Sequence, residues 1–185
     1  MGTMISSGAD VVSFLKGQHQ EIKALFNQVE ATEGDERAEA FYALRRLLAV
    51  HETAEEEIVH PVARRALPDG EIIIEARLRE ENQAKKVLSE LEKLDLDSED
   101  FDMLFAEFSA SVIEHAESEE RQEFERLADH LDQRRLERMR DAVKLAESVA
   151  PTRPHAGVES AVGNMLVGPF ASMLDRARDA LSGKS

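Results

Sequence analysis

Two stretches decide the fold: HETAEEEIVH at residues 51–60 and HAESEERQEF at residues 115–124. Each opens with His-x-x-x-Glu and adds a second Glu at once, so that His51, Glu55 and Glu56 align with His115, Glu119 and Glu120. A spacing of four residues places both leading side chains on one face of a helix. The flanking apolar residues share that face. Leu44 and Leu48 lead into His51 and Glu55 and continue to Ile58 and Val62; Phe101, Phe105, Phe108 and Val112 lead into His115 and Glu119. A His and a Glu therefore hold consecutive positions on a stripe whose other members belong in a core.

Working outward, two further helical stripes carry one intruder each. Leu15, His19, Ile22, Phe26 and Val29 form one; Ile74, Leu78, Glu81, Leu88 and Leu91 form the other. His19 followed by Lys23 and Phe26 aligns with Glu81 followed by Lys85 and Leu88, so a hairpin of a one-ligand and a two-ligand helix is duplicated. An ionised carboxylate buried without a partner costs several kcal/mol. Metal cations offset that cost, and mixed imidazole and carboxylate donors suit iron, manganese or zinc. Bridging carboxylates on facing helices are how bundle cores hold two metal ions.

Periodicity and stop signals predict helices from about Asp10 to Ala31, Asp35 to Leu67, Gly70 to Leu94 and Ser98 to His130, with a shorter fifth from about Asp132 to Val149. Pro61 is expected to kink or break the second. Short connections between long helices imply an up-down-up-down four-helix bundle. Residues 1–149 read as bundle plus fifth helix, 150–160 as a Pro-containing linker, and 161–185 as an amphipathic segment expected to dock on its own bundle.

Composition excludes several functions. A net charge of −15 over 185 residues argues against nucleic acid as the main partner. With no cysteine, thiolate metal sites, iron–sulfur clusters and cysteine nucleophiles are ruled out. No run of roughly 18 apolar residues is present, so no transmembrane segment is expected. Residues 1–10 lack a basic stretch followed by an apolar one, so no signal peptide is expected and a cytoplasmic location is the default. There is no phosphate loop, no Ser-His-Asp arrangement and no His-Glu-x-x-His motif.

The order of a lone His, a His-x-x-x-Glu, a third-helix ligand and a second His-x-x-x-Glu resembles the hemerythrin-like family of HHE cation-binding domains, over roughly residues 10–148. The resemblance implies a four-helix bundle holding two iron ions joined by an oxo or hydroxo bridge, with manganese or zinc the less favoured alternatives. It makes His19, His51 and His115 imidazole ligands and Glu55 and Glu119 bridging carboxylates. The family usually has His in the third helix, where this chain has Glu81. Ligation by Glu81 makes the site harder and more anionic, which favours the ferric state over reversible oxygen carriage.

His60 lies two positions from the Ile58 stripe position, where the family often has Tyr, and is a further candidate as a ligand or a neighbour of the metals. Glu52 is a weaker candidate. Glu56 and Glu120 read as residues around the ligands or on the surface, and His130 and His155 as surface residues. A shifted register of the third helix would present Asn82 in place of Glu81. The implied function is to bind, sense or react with oxygen, peroxide or nitric oxide, in oxygen binding or oxidative stress, by a monomer or homodimer. Redox turnover of peroxide or nitric oxide is open, and the alternative is a non-catalytic iron-binding, sensing or storage module.

Overall fold

A computed structural model describes residues 9–149. The linker at 150–160, the amphipathic segment at 161–185 and His155 lie outside the described residues. Seven α-helical segments follow in order: α1 (Val11–Ala31), α2 (Gly34–Ala54), α3 (His60–Ala66), α4 (Gly70–Leu91), α5 (Glu99–Glu119), α6 (Glu125–His130) and α7 (Gln133–Val149). Two π-helical turns, Glu55–Val59 and Glu120–Phe124, join α2 to α3 and α5 to α6. The chain thus makes four long helical rods and one shorter fifth, and the described residues contain no strand.

Local signals set the ends. Asp10 accepts a bond from the Ser13 amide at 2.9 Å and Ser98 one from the Phe101 amide at 3.2 Å, so a side-chain oxygen caps α1 and α5. At the α1–α2 junction Gly34 takes φ +57°, in the left-handed region that glycine enters without a Cβ penalty. Arg37 then ties three segments together, bonding Val29 O at 3.0 Å, Leu96 O at 2.6 Å and Asp102 Oδ1 at 2.5 Å.

The expected single helices over 35–67 and 98–130 are corrected by the π turns. Pro61 has no N–H for the carbonyl four residues back, and a π turn closes immediately before it, with the His60 amide bonding Glu55 O five residues earlier. The second π turn contains no proline, and nothing in its local sequence explains it; there the Glu125 amide bonds Glu120 O. The third helix stops at Leu91, three residues before the expected end.

The core is divided. Ile22, Phe26, Phe41, Leu44, Leu88, Phe101, Phe105 and Phe108 fill one end of the bundle. Phe14, Leu15, Ile58, Ile74, Phe124, Leu127, Met139 and Val143 fill the other, where α7 packs on α1 and α2. Between these two apolar masses lies a polar layer.

The α3–α4 corner depends on Gly70. A Cβ there would lie 2.5 Å from Ala63 O and 2.7 Å from Arg64 O, both backbone atoms that cannot swing aside. Gly70→Ala is therefore expected to destabilise the chain by about 1–3 kcal/mol. A urea midpoint equal to that of the unaltered chain would refute this close approach.

Candidate metal centre

Each rod sends side chains into the polar layer: α1 His19, α2 His51 with Glu55 just beyond it, α3 His60, α4 Glu81, and α5 His115 and Glu119, followed by Glu123 in the second π turn. Glu55, Glu119 and Glu123 are 0% exposed and Glu81 1%. Three sets of donor atoms lie close enough to share an ion: His19, His51, Glu55 and Glu119; Glu81, His115 and Glu119; and His60, Glu119 and Glu123. Glu119 belongs to all three. Glu55 belongs to the first alone.

The imidazoles are oriented alike. His19 Nε2 lies 3.2 Å from His51 Nε2 and 3.5 Å from Glu119 Oε2, and His51 Nε2 is 3.3 Å from Glu55 Oε1. His115 Nε2 is likewise 3.5 Å from Glu119 Oε2. The outer nitrogens are held by hydrogen bonds: His19 Nδ1 by Glu120 Oε1 at 2.8 Å, His51 Nδ1 by Gln18 Oε1 at 2.8 Å, and His115 Nδ1 by Glu80 Oε2 at 2.7 Å. Tying the outer nitrogen in this way turns Nε2 toward the layer as the atom a cation would take, in place of the proton where the ring carries one there. His60 differs, since its Nε2 meets Glu81 Oε1 at 2.7 Å and its Nδ1 meets Glu123 Oε1 at 3.0 Å.

Electrostatics set these groups apart from ordinary carboxylates and imidazoles. Burial, then the neighbouring His19, pushes His51 down to about 3, so it is neutral. Burial also opposes charge on His115, but Glu119, the Glu80 hydrogen bond and Glu81 outweigh it and raise that imidazole to about 9. Burial and the facing Glu119 drive Glu55 well above the usual carboxylate range. For Glu119, burial is outweighed by His115, His19 and His60, which hold it low.

Both oxygens of Glu55 and of Glu119, and one each of Glu81 and Glu123, are buried with no hydrogen-bond partner. Native interiors leave few such atoms. Oxygen and nitrogen donors converging with vacant lone pairs, in a set that suits a hard or borderline cation, fit the residues to metal.

Residues 10–127 match the family described as the hemerythrin HHE cation-binding domain. The chain belongs to that family. In keeping with it, a hemerythrin HHE cation-binding domain-containing protein from Mycobacterium kansasii has a similar fold, with a TM-score of 0.67 at 19% identity over 91% of this chain and 98% of that one. No curated protein matches the sequence significantly. This hemerythrin-like chain is thus a metal-binding helical bundle, and no helix among its described residues is long and apolar enough to cross a membrane.

The candidates read from sequence, His19, His51, Glu55, Glu81, His115 and Glu119, all converge on this layer. Glu81 enters it, while Asn82 lines an open cavity of about 370 Å³ on the outside, so the shifted register is overturned. His60 is drawn in by the π turn, which sets it five residues and one wide turn beyond Glu55. Glu120 and Glu56 sit around the site, the first on His19 and the second paired with Lys85, which also meets Glu52 at 3.5 Å. His130 is exposed.

Glu123 and Gln18 were not singled out by the sequence reading. A signal for Glu123 existed, because it continues the four-residue series of His115 and Glu119. Gln18 carried none, since its role depends on what α7 places beside it.

Cation binding to a site of this kind stabilises the folded chain. At about 100 times the dissociation constant, a divalent ion is expected to add about 2.7 kcal/mol per site. Thermal melts with ferrous, manganous or zinc ions against a chelator check this, and identical melting temperatures in all of them would exclude a cation site.

Proposed function

We propose that the chain is a non-haem di-iron protein that binds, senses or reacts with oxygen, peroxide or nitric oxide. His19, His51 and Glu55 would hold one ion and His115 and Glu81 the other, with Glu119 shared. His60 and Glu123 would complete the second coordination sphere, in place of the imidazole that the family's third helix usually offers. Glu55, with neither oxygen engaged, keeps the capacity to bridge as well. Bound iron would supply electrons and Lewis acidity to a small ligand.

The observation that carries the reading is a cavity of about 30 Å³ beside the layer. His19, His51 and His115 line it together with Ile22, Leu48, Ala84, Val112 and Ala116. One water-sized sphere fills about 10–15 Å³ of such space, so the cavity accepts a diatomic or peroxide and excludes an organic substrate. The cavity's aliphatic wall faces the imidazoles, while Glu52, Glu80, Glu81 and Ser111 complete the lining. The outer partners accept hydrogen bonds from the rings: Glu120 at His19 Nδ1, and Glu80, itself partly exposed, at His115 Nδ1.

A second reading, iron sensing or storage without turnover, is favoured by the donor set itself. Glu81 and Glu123 make it richer in carboxylate, which holds ferric iron firmly.

Metal analysis with a visible spectrum tests the common part, with about two irons per chain and near-ultraviolet bands of bridged ferric ions expected. Glu81→Ala and Glu123→Ala should each lower occupancy; full loading of both would remove them from the ligand set. Consumption of peroxide, or binding of oxygen or nitric oxide, by the reduced protein separates the two readings. A loaded chain inert to all three would leave storage or sensing.

A further inference from the structure

The helix α7 lies beyond the residues matched to the family, yet it reaches the site by a two-step hydrogen-bonded path. Glu147 Oε1 accepts from Gln18 Nε2 at 2.7 Å, and Gln18 Oε1 lies 2.8 Å from His51 Nδ1. A primary amide has one donating end and one accepting end. Glu147 engages the donating end, so the end facing His51 is the oxygen, which can only accept. His51 Nδ1 must then carry the ring hydrogen, and its Nε2 lone pair is left facing His19 and Glu55.

Gln18 is 8% exposed and His51 4%, so the bond between them is shielded from water, and the one to Glu147 is partly so. The other two inward imidazoles need no such intermediary, because each meets a carboxylate directly: Glu120 on His19 and Glu80 on His115. A carboxylate has no donating end and cannot be misoriented. An amide can be, and it is the amide that α7 pins.

We propose that Glu147 is a positioning residue for the metal centre, acting through the Gln18 amide to fix the His51 tautomer that can bind a cation. The proposal rests on the metal reading given above. Without an acceptor at residue 147, the Gln18 amide is free to rotate and present its NH2 to His51. The ring hydrogen then moves to Nε2, the atom a metal would need.

Glu147→Leu removes the acceptor, and Gln18→Leu removes the relay while leaving α7 intact. Glu147→Gln retains an oxygen for Gln18 Nε2 but is itself an amide that can turn, and is the intermediate control. Losing a hydrogen bond to a ligating imidazole weakens metal binding about 10–100-fold, the expected loss of ferrous affinity in full-length E147L and Q18L. E147Q should fall between the unaltered chain and E147L. The second readout is the His51 ring in the metal-free protein, followed by long-range proton–nitrogen NMR. The unaltered chain should show a single Nδ1–H tautomer, and E147L a mixture of the two.

A single unchanged tautomer in E147L would overturn the proposal even if affinity falls, since the loss would then come from packing of α7. So would unchanged ferrous affinity in E147L and Q18L, or an E147Q variant weaker than E147L. If the unaltered chain takes up no iron, the metal reading itself fails and this proposal with it.

Discussion

The fold depends on a single constraint: a layer of buried carboxylates that no lysine or arginine among the described residues pairs with, and that only the imidazoles beside them offset. Glu55, Glu81, Glu119 and Glu123 share one level of the bundle with His19, His51, His60 and His115. Lys85, the nearest lysine, is spent on Glu52 and Glu56 beside the layer. An uncompensated buried charge costs several kcal/mol, and attraction within the layer recovers that only where hydrogen bonds use up the remaining lone pairs. Here oxygens of all four carboxylates remain unused. Such an arrangement makes sense when cations belong there, and the family to which the chain belongs binds them.

Much of this was legible in the sequence because the 3.6-residue period carries both the core and its exceptions. Leu44, Leu48, Phe105 and Val112 define a buried stripe, and His51, Glu55, His115 and Glu119 break it at the same height. The duplicated hairpin gave the pairing of helices, and Glu81 follows from it. What the period could not carry is a change of period. The two π turns widen the helix locally, turning His60 inward from a position that a regular helix would place off the stripe. The Pro61 signal was present but pointed only to a kink. Gln18 illustrates a different gap: its neighbour in sequence is the site residue His19, but its partner is 129 residues away.

The surroundings of the three inward imidazoles are unequal. His51 sits behind Gln18 and α7, whereas His115 is 15% exposed at its side chain and bonds Glu80, which is 43% exposed. One side of the layer is therefore sealed by an added helix and the other borders solvent. The small cavity touches both, with Glu80 at its rim. Exchange of small species with solvent is easiest on the His115 side, away from α7.

The split of the hydrophobic interior has a consequence for how the molecule comes apart. The N-terminal half of α1 packs with the ends of the two-ligand rods and α7, while its C-terminal half packs with their beginnings. Every rod crosses the layer, yet no apolar contact network runs through it. Cooperative units in proteins follow contiguous packing. The two half-cores are thus distinct mechanical bodies joined by a charged seam. A cation that neutralised that seam would couple the two bodies.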